Sequence, residues 1–324
     1  LTSHTATAPN LGFKYTLKSI VITPPPLFLL VTITALWMAK SFAILLALLG
    51  AHCADSLKMS AAAASKKVTI FGGTGFVGST VAKLCVERGH TVTCLSRRGV
   101  PASPVEGVRY LSGDATDAKV VESACKDAEA VVHAVGLLFD VTTPGGGALN
   151  LIVSGSKSRP GEGSTYDAIT RQTAFNVINA LKKRIRVPGF SGAPPPLAFV
   201  SAAEAGWPDV AGGKQAEALA PDALNRYLVA KRSVEAELLE QQRKGALRPI
   251  IYRPSLIWDW SKLDVLPIIP IFNIACALGV PFVDKTVRVE TLAAAIVAGI
   301  EDPEISGVQR FEAMENLNQK LATA

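Results

Sequence analysis

The sequence predicts an α/β protein built on a doubly wound parallel sheet, and three observations predict it. Short β-branched runs alternate with segments of helical spacing, one such run ends in a glycine loop that opens straight into a helix, and Pro/Gly-rich connectors separate the later units. The chain has 324 residues, 49% hydrophobic and 19% charged, enough to bury a sizeable core in one large domain or two smaller ones.

The first unit is the most informative. Residues 67–80 read KVTIFGGTGFVGST: an extended run, a glycine loop and a helix, in the order that a dinucleotide site requires. Gly72 permits the tight turn, Gly75 lets the backbone approach a pyrophosphate, and Gly78 lets the helix pack closely on the strand. Phosphates would then sit on the N–H groups of the helix start, around Phe76 and Val77. Val77, Val81, Leu84 and Cys85 recur at helical spacing, and Gly89 follows as a left-handed cap. The expected architecture is therefore a Rossmann-type sheet.

The second strand, TVTCLSRR, ends in Ser96, Arg97 and Arg98. A carboxylate there would accept the ribose hydroxyls of NAD(H), whereas an arginine fork binds the 2′-phosphate of NADP(H), so NADP(H) is favoured with NAD(H) as the alternative. Both arginines also read as ordinary solvated loop residues. GVRYLSGDATD (107–117) forms the third strand, ending at Asp114 where an adenine could lie. AEAVVHAVG (128–136) forms the fourth, with a turn from Ala134 to Gly136 passing under the cofactor, and His133 reads as a core histidine. Residues 140–165 are Gly- and Ser-rich and read as a surface insertion, a lid or a partner contact. TYDAITRQTAFNVINALKK (165–183) is a helix with Ile169, Thr173, Val177 and Leu181 on one stripe. PLAFVSAAEAG supplies a fifth strand ending at Ser201, and RPIIYRPSLIWD a sixth ending near Arg253 and Pro254, with 186–196 and 206–221 as connectors.

From Leu224 the sequence LNRYLVAKRSVEAELLEQQRKG predicts a helix stopped at Gly245, on which Tyr227 and Lys231 are neighbours four residues apart. Val234 and Leu238 continue the stripe, so Lys231 faces inward, where an ammonium group needs a polar cleft or ligand. Ser201 lies at a strand end, the edge where such sheets bind ligands. In a carbonyl reduction Ser201 would hold the carbonyl, Tyr227 would donate the proton, and Lys231 would hold the ribose and favour the phenolate. A buried tyrosine with a snorkelling lysine is the plain alternative.

Charge and cysteines exclude other classes. The formal charge is +6, but residues 1–65 carry four Lys against one Asp, leaving 29 basic and 26 acidic residues for the remainder. That excess is too mild for nucleic acid. The five cysteines are scattered without metal-ligand spacing, so no structural metal is expected and a reducing compartment is implied. Residues 1–65 read as a targeting or anchor segment outside the fold. From Met38, MAKSFAILLALLGAHCADS resembles a secretory signal peptide, while residues 27–50 taken together are long enough for a membrane anchor. The following SLKMSAAAASKK has the composition of a transit segment, so signal plus transit would suit a plastid and an acid-poor presequence a mitochondrion.

In GGTGFVGST, GDATD, Ser201, YLVAK and YRPSLIW the chain resembles the extended and atypical short-chain dehydrogenase/reductases, over about residues 66–315. VVHAVGLLFD, STYDAITRQTAF, LAFVSAAEAG and RPIIYRPSLIWD are similar to the fungal coenzyme Q biosynthesis-complex subunit and to the complex I accessory subunit that holds a dinucleotide. The resemblance implies an organelle protein, mitochondrial in these relatives, that binds NADP(H) or NAD(H) and serves ubiquinone synthesis or a respiratory membrane complex. It implies either turnover of a carbonyl or quinone-like intermediate, or a non-catalytic cofactor-binding role; nucleotide-sugar epimerase or dehydratase chemistry is a further alternative on the same fold. Where many members carry an asparagine after the fourth strand, this chain has Thr170. The resemblance also makes 66–258 the dinucleotide-binding domain and 259–324 a small C-terminal substrate region, whose DVLPIIPIFNIACALGVPF suits an apolar ligand or an ordinary core helix. VRVETLAAAIVAGIEDPE then closes the fold with a strand and a helix bearing Leu292, Ile296 and Ile300.

Overall fold

The structure, a computed structural model, describes residues 64–137, 140–143, 161–184, 193–260, 269–280 and 282–323. The expected leader up to residue 63, most of the insertion and the first part of the 186–196 connector lie outside the described residues. Seven strands form one sheet: β1 (Lys67–Phe71), β2 (Thr91–Ser96), β3 (Val108–Ser112), β4 (Ala130–His133), β5 (Pro196–Val200), β6 (Arg248–Tyr252) and β9 (Gly307–Gln309). Their order is β3-β2-β1-β4-β5-β6-β9, and each neighbouring pair is parallel. The chain thus winds outward from β1 in both directions. A crevice at the carboxyl ends of β1 and β4, where the winding reverses, is the expected ligand position of such a sheet. A two-stranded parallel ribbon, β7 (Ile257–Trp258) with β8 (Val287–Arg288), stands apart.

Both faces of the sheet are buried, which explains why its strands read as continuous apolar runs. On one side Ile70, Cys94, Val132, Ala198 and Ile250 pack with α1 (Phe76–Glu87) and α7 (Val289–Glu301). On the other, Phe71, Val131, Phe199 and Ile251 meet Val121 of α2 (Ala118–Cys125), Val177 of α3 (Thr173–Lys182), and Val234 and Leu238 of α5 (Asp222–Arg243). Each such aliphatic side chain contributes about 1.5–3 kcal/mol on leaving water. One buried ionic knot ties α1 to α7: Glu301 accepts hydrogen bonds from Arg88 (2.7 and 3.0 Å) and pairs with His90 Nε2 (2.9 Å). Burial pushes the Glu301 carboxyl up, but the hydrogen bonds from His90 and Arg88 outweigh it and leave it below the ordinary range.

Four expectations change on the structure. The helix over 165–183 opens with a π-helical turn, Asp167–Gln172, before becoming α3. The connector over 206–221 is largely helical, containing most of a 3-10 turn (Ala203–Asp209) and α4 (Gly213–Leu219). The region from 259 onward does more than line a substrate space, because α7 covers the main core, β9 extends the main sheet, and α8 (Phe311–Thr323) packs behind them. The apolar helix α6 (Ile269–Ala277) is no core helix, since it has no buried residue. Cys85, Cys94 and Cys125 are free and buried, and no cluster able to hold a metal occurs among the described residues.

Candidate functional site

A cavity of about 1450 Å³ runs from the glycine loop across the carboxyl ends of β1, β4 and β5 to α6. It exceeds the few hundred to about 1000 Å³ usual for one small ligand, so a dinucleotide and a second molecule fit together. A second depression of about 280 Å³ lies beside α2 and α3, where Lys183 pairs with Glu122 and Lys182 with Glu237.

At one end the wall is backbone. Gly72 has φ +81°, and a Cβ there would meet the Ala134 carbonyl at 2.8 Å, so the turn under β4 admits glycine alone. At Gly78 a Cβ would lie 2.3 Å from the Gly72 carbonyl oxygen, so the helix approaches the loop closely there. Gly73, which the motif spacing does not single out, is equally constrained: a Cβ would land 2.2 Å from Cys94 Sγ on β2. Gly75, Phe76 and Val77 line the cavity at the first turn of α1, which has no acidic residue and no side-chain cap. The positive end of the α1 dipole thus faces the cavity and favours an anion there, and an NAD(P) pyrophosphate fits the cradle. Arg97 and Arg98 reach the same cavity; both are exposed, and their guanidinium groups make no hydrogen bond or ion pair among the described residues. Asp114, Ala134 and Gly136 line it as well. One Asp114 oxygen is already committed to Thr116 N and Oγ1, both at 2.9 Å.

At the other end the side chains of β5 and α5 converge. Ser201, Tyr227 and Lys231 all line the cavity. Their hydrogen bonding departs from the expected arrangement. The Ser201 hydroxyl donates to Glu235 Oε1 at 2.5 Å, and Glu235 also accepts from Arg253 at 2.6 and 3.1 Å. Its single proton is thus turned away from any carbonyl. Lys231 Nζ donates to the Val200 carbonyl at 2.7 Å and lies 4.9 Å over the Phe199 ring and 5.5 Å from the centre of the Tyr227 ring. Burial lowers its pKa to about 8, with Glu235 opposing the fall. Burial, and then the neighbouring Glu204 and Tyr166, push the Tyr227 phenol above its ordinary value. The expected help from Lys231 to the phenolate is outweighed, and the group is held as an acid.

Three residues that the sequence reading passes over belong to this site. Glu235 follows Lys231 by four residues, so the same helical spacing that paired Tyr227 with Lys231 places it on the inward face. Tyr166 is buried and meets the Tyr227 ring edge-on, with centroids 5.5 Å apart. Glu204 lines the cavity, and burial raises its carboxyl. No sequence periodicity marks Tyr166 or Glu204, because each arrives from a turn. His133 is the core histidine expected: buried, and held near a pKa of about 3 by burial and then by the Lys231 charge. Thr173 Oγ1 donates to the Ile169 carbonyl (2.6 Å), so toward His133 it accepts, and the proton sits on His133 Nε2 (2.9 Å). Thr170 is fully buried with its hydroxyl unpartnered among the described residues.

Beyond Ser201 the lining turns apolar: Leu256, Ile257, Phe272, Phe282 and Val283, with Glu204 and Asp284 as its carboxylates. Residues 68–144 match the model of the NAD dependent epimerase/dehydratase family. Among characterised proteins, the chain is 37% identical over 67 residues to a 2-alkyl-3-oxoalkanoate reductase of Stenotrophomonas maltophilia, a match covering 21% of this chain and only 20% of that protein. It is 24% identical to MIOREX complex component 2 of Saccharomyces cerevisiae across 76% of this chain and 97% of that one. Among solved structures, a UDP-N-acetylglucosamine 4-epimerase from Methanobrevibacter ruminantium superposes with a TM-score of 0.51 over 76% of each chain at 18% identity. That likeness is one of fold. The chain is therefore similar to the epimerase/dehydratase and short-chain reductase proteins in its first part, and its parallel sheet is of the Rossmann type.

Proposed function

We propose that this protein is an NADP(H)-dependent oxidoreductase of an organelle, acting on a carbonyl carried by an apolar, quinone-like molecule. Its main support is one cavity holding the glycine loop at one end and Tyr227 with Lys231 at the other, closed by an apolar wall. Gly72, Gly75, Gly78, Phe76 and Val77 would hold the pyrophosphate, Asp114 the adenine side, and Ala134 and Gly136 the underside of the cofactor. Arg97 and Arg98 would take a 2′-phosphate bidentately. The bound nicotinamide would supply hydride to the carbonyl carbon. Tyr227, kept protonated by burial, gives its proton to the carbonyl oxygen, while Lys231 holds the ribose hydroxyls beside it. Ser201 joins as a donor only if its bond to Glu235 is exchanged. The apolar wall carries no Lys or Arg among the described residues, and its two carboxylates would repel a diphosphate, which disfavours a nucleotide sugar. The reductase relative supports a carbonyl on an alkyl body, and the MIOREX relative supports work within an assembly. Placement in the mitochondrion and service to ubiquinone synthesis rest on the family resemblance.

A second reading, a cofactor-holding subunit without turnover, draws on the Ser201–Glu235 bond, which removes one of the two donors. One experiment separates them. NADPH oxidation is followed with alkyl ketones, quinones and a UDP-sugar, for wild type and Tyr227→Phe. Loss of at least about a hundredfold in Tyr227→Phe is expected from removal of the proton donor. Equal rates in both remove Tyr227 as the acid; no turnover with any substrate, together with thermal stabilisation by NADPH, selects the second reading. Stabilisation by NADH alone would remove the arginine argument.

A further inference from the structure

Hydrogen bonds in the site have a direction, because a serine or tyrosine hydroxyl owns a single proton. Glu235 Oε2 accepts from Arg253 Nη2 at 2.6 Å and Oε1 accepts from Arg253 Nε at 3.1 Å, so both oxygens face donors. Ser201 Oγ, 2.5 Å from Oε1, therefore gives its proton to Glu235. The arrangement is locked from behind. Ser201 and Glu235 are only 4% and 3% exposed, and Ser201 N donates to the Tyr252 carbonyl at 2.7 Å. The Arg253 guanidinium is packed against Gly206, where a Cβ would meet it at 2.7 Å. What Ser201 offers a ligand in the cavity is thus a pair of lone pairs. Tyr227 lines the same cavity and, kept protonated by burial, has a proton to give.

We propose that Glu235 is a positioning residue which, through Ser201, makes this site bind a secondary alcohol in preference to the matching ketone. An alcohol oxygen accepts from Tyr227 and sends its own proton to Ser201, so the bonds run one way: Tyr227 to alcohol, alcohol to Ser201, Ser201 to Glu235. A ketone completes only the first of these and sets its lone pairs against those of Ser201. An ammonium group could donate to Ser201 too, but it would meet the charge of Lys231, whose Nζ lies 5.5 Å from the centre of the Tyr227 ring. A hydroxyl escapes that repulsion. The inference rests on the proposed reading in which Tyr227 and Ser201 flank one ligand oxygen. For a carbonyl reductase it means that product is held more tightly than substrate; for a subunit without turnover it makes an alcohol the resident ligand.

The test reads binding, so it does not depend on turnover. Calorimetry on the full chain gives the dissociation constants of acetonaphthone with NADP+ bound and of naphthylethanol with NADPH bound, two combinations that cannot react. The difference in cofactor cancels when the alcohol-to-ketone preference of each variant is compared with that of wild type. In Glu235→Gln the amide N–H donates to Ser201 and turns its proton toward the cavity, so the preference should move toward the ketone by on the order of tenfold, the worth of about one hydrogen bond. Ser201→Ala, which leaves the Glu235–Arg253 pair in place, should move it the same way by less. In the double variant Glu235→Gln should add nothing to Ser201→Ala, because Glu235 acts through Ser201. An unchanged preference in Ser201→Ala overturns the proposal even where Glu235→Gln does not fold. A Glu235→Gln effect that weakens both ligands alike, as loss of a merely structural ion pair would, overturns it too, and so does one that persists without Ser201. If neither compound binds, the proposal falls together with the apolar-carbonyl reading beneath it; if both bind and the preference never moves, it falls alone.

Discussion

Helices α6 and α7 are the two most apolar helices among the described residues, and they meet opposite fates. In α7, ten consecutive residues from Leu292 to Glu301 include nine that are buried, and its inner face fills the core against α1 and the sheet. In α6 nothing is buried. Hydropathy is the same in kind; what differs is a partner. Gly299 lets α7 settle directly on β6, where Tyr252 donates to the Ala295 carbonyl at 2.8 Å, whereas α6 rests on the cavity only through Phe272 and its neighbours.

The largest expected effect that would break this contrast is at Leu292. Leu292→Ala should cost about 2–5 kcal/mol in urea unfolding, because it opens a cavity in a close-packed core. Ile274→Ala on α6 should stay within about 0.5 kcal/mol of wild type, as exposed sites do. Equal losses would mean that α6 has a buried seat after all. Next, Gly299→Ala places a methyl 2.2 Å from the Tyr252 hydroxyl and should destabilise by about 1–3 kcal/mol, with altered near-UV circular dichroism from the displaced tyrosine.

A third experiment asks how the site differs from the core around it. Lys231 titrates near 8 when folded against an ordinary 10.5, so its charged form is disfavoured by burial and stability rises with pH between those values on its account. Cys85, Cys94 and Cys125, each pushed up to about 12 by burial, act in the opposite direction above their ordinary value of 9.0. The Lys231 part is isolated by subtracting the pH profile of Lys231→Met from that of wild type. Lys231→Met should be more stable at pH 7 by up to about 3 kcal/mol, with the advantage shrinking toward pH 10. It should also weaken thermal stabilisation by NADPH. A constant difference across pH would show that Lys231 titrates alike in the folded and unfolded chain, so that burial does not shift it. The smallest expected effect is at Thr170→Val: a change near zero or slightly stabilising, since a buried unpartnered hydroxyl is replaced by a methyl.

Much of this was legible in the residues. The strand, glycine loop and helix at 67–87 are read locally, because a positive φ at Gly72 and the close approach at Gly78 depend on residues only a few positions apart. The same holds for Tyr227 and Lys231, which share a helix face. The Ser201–Glu235–Arg253 bond was not legible, because it joins β5, α5 and the end of β6 and exists only once the sheet has brought those edges together. The π-helical turn before α3 escaped for a related reason. Its hydrophobic stripe reads as an ordinary helix, while the geometry is set where Thr173 back-bonds to Ile169 and meets His133 on the neighbouring strand.

By itself, then, the sequence determined the doubly wound parallel sheet, the glycine cradle and the inward-facing lysine, all consequences of local sterics and of periodicity along single elements. The tertiary structure decided which proton each site group holds, and which of two equally apolar helices is buried. Those outcomes depend on desolvation and on partners that arrive from distant parts of the chain, and both exist only after folding.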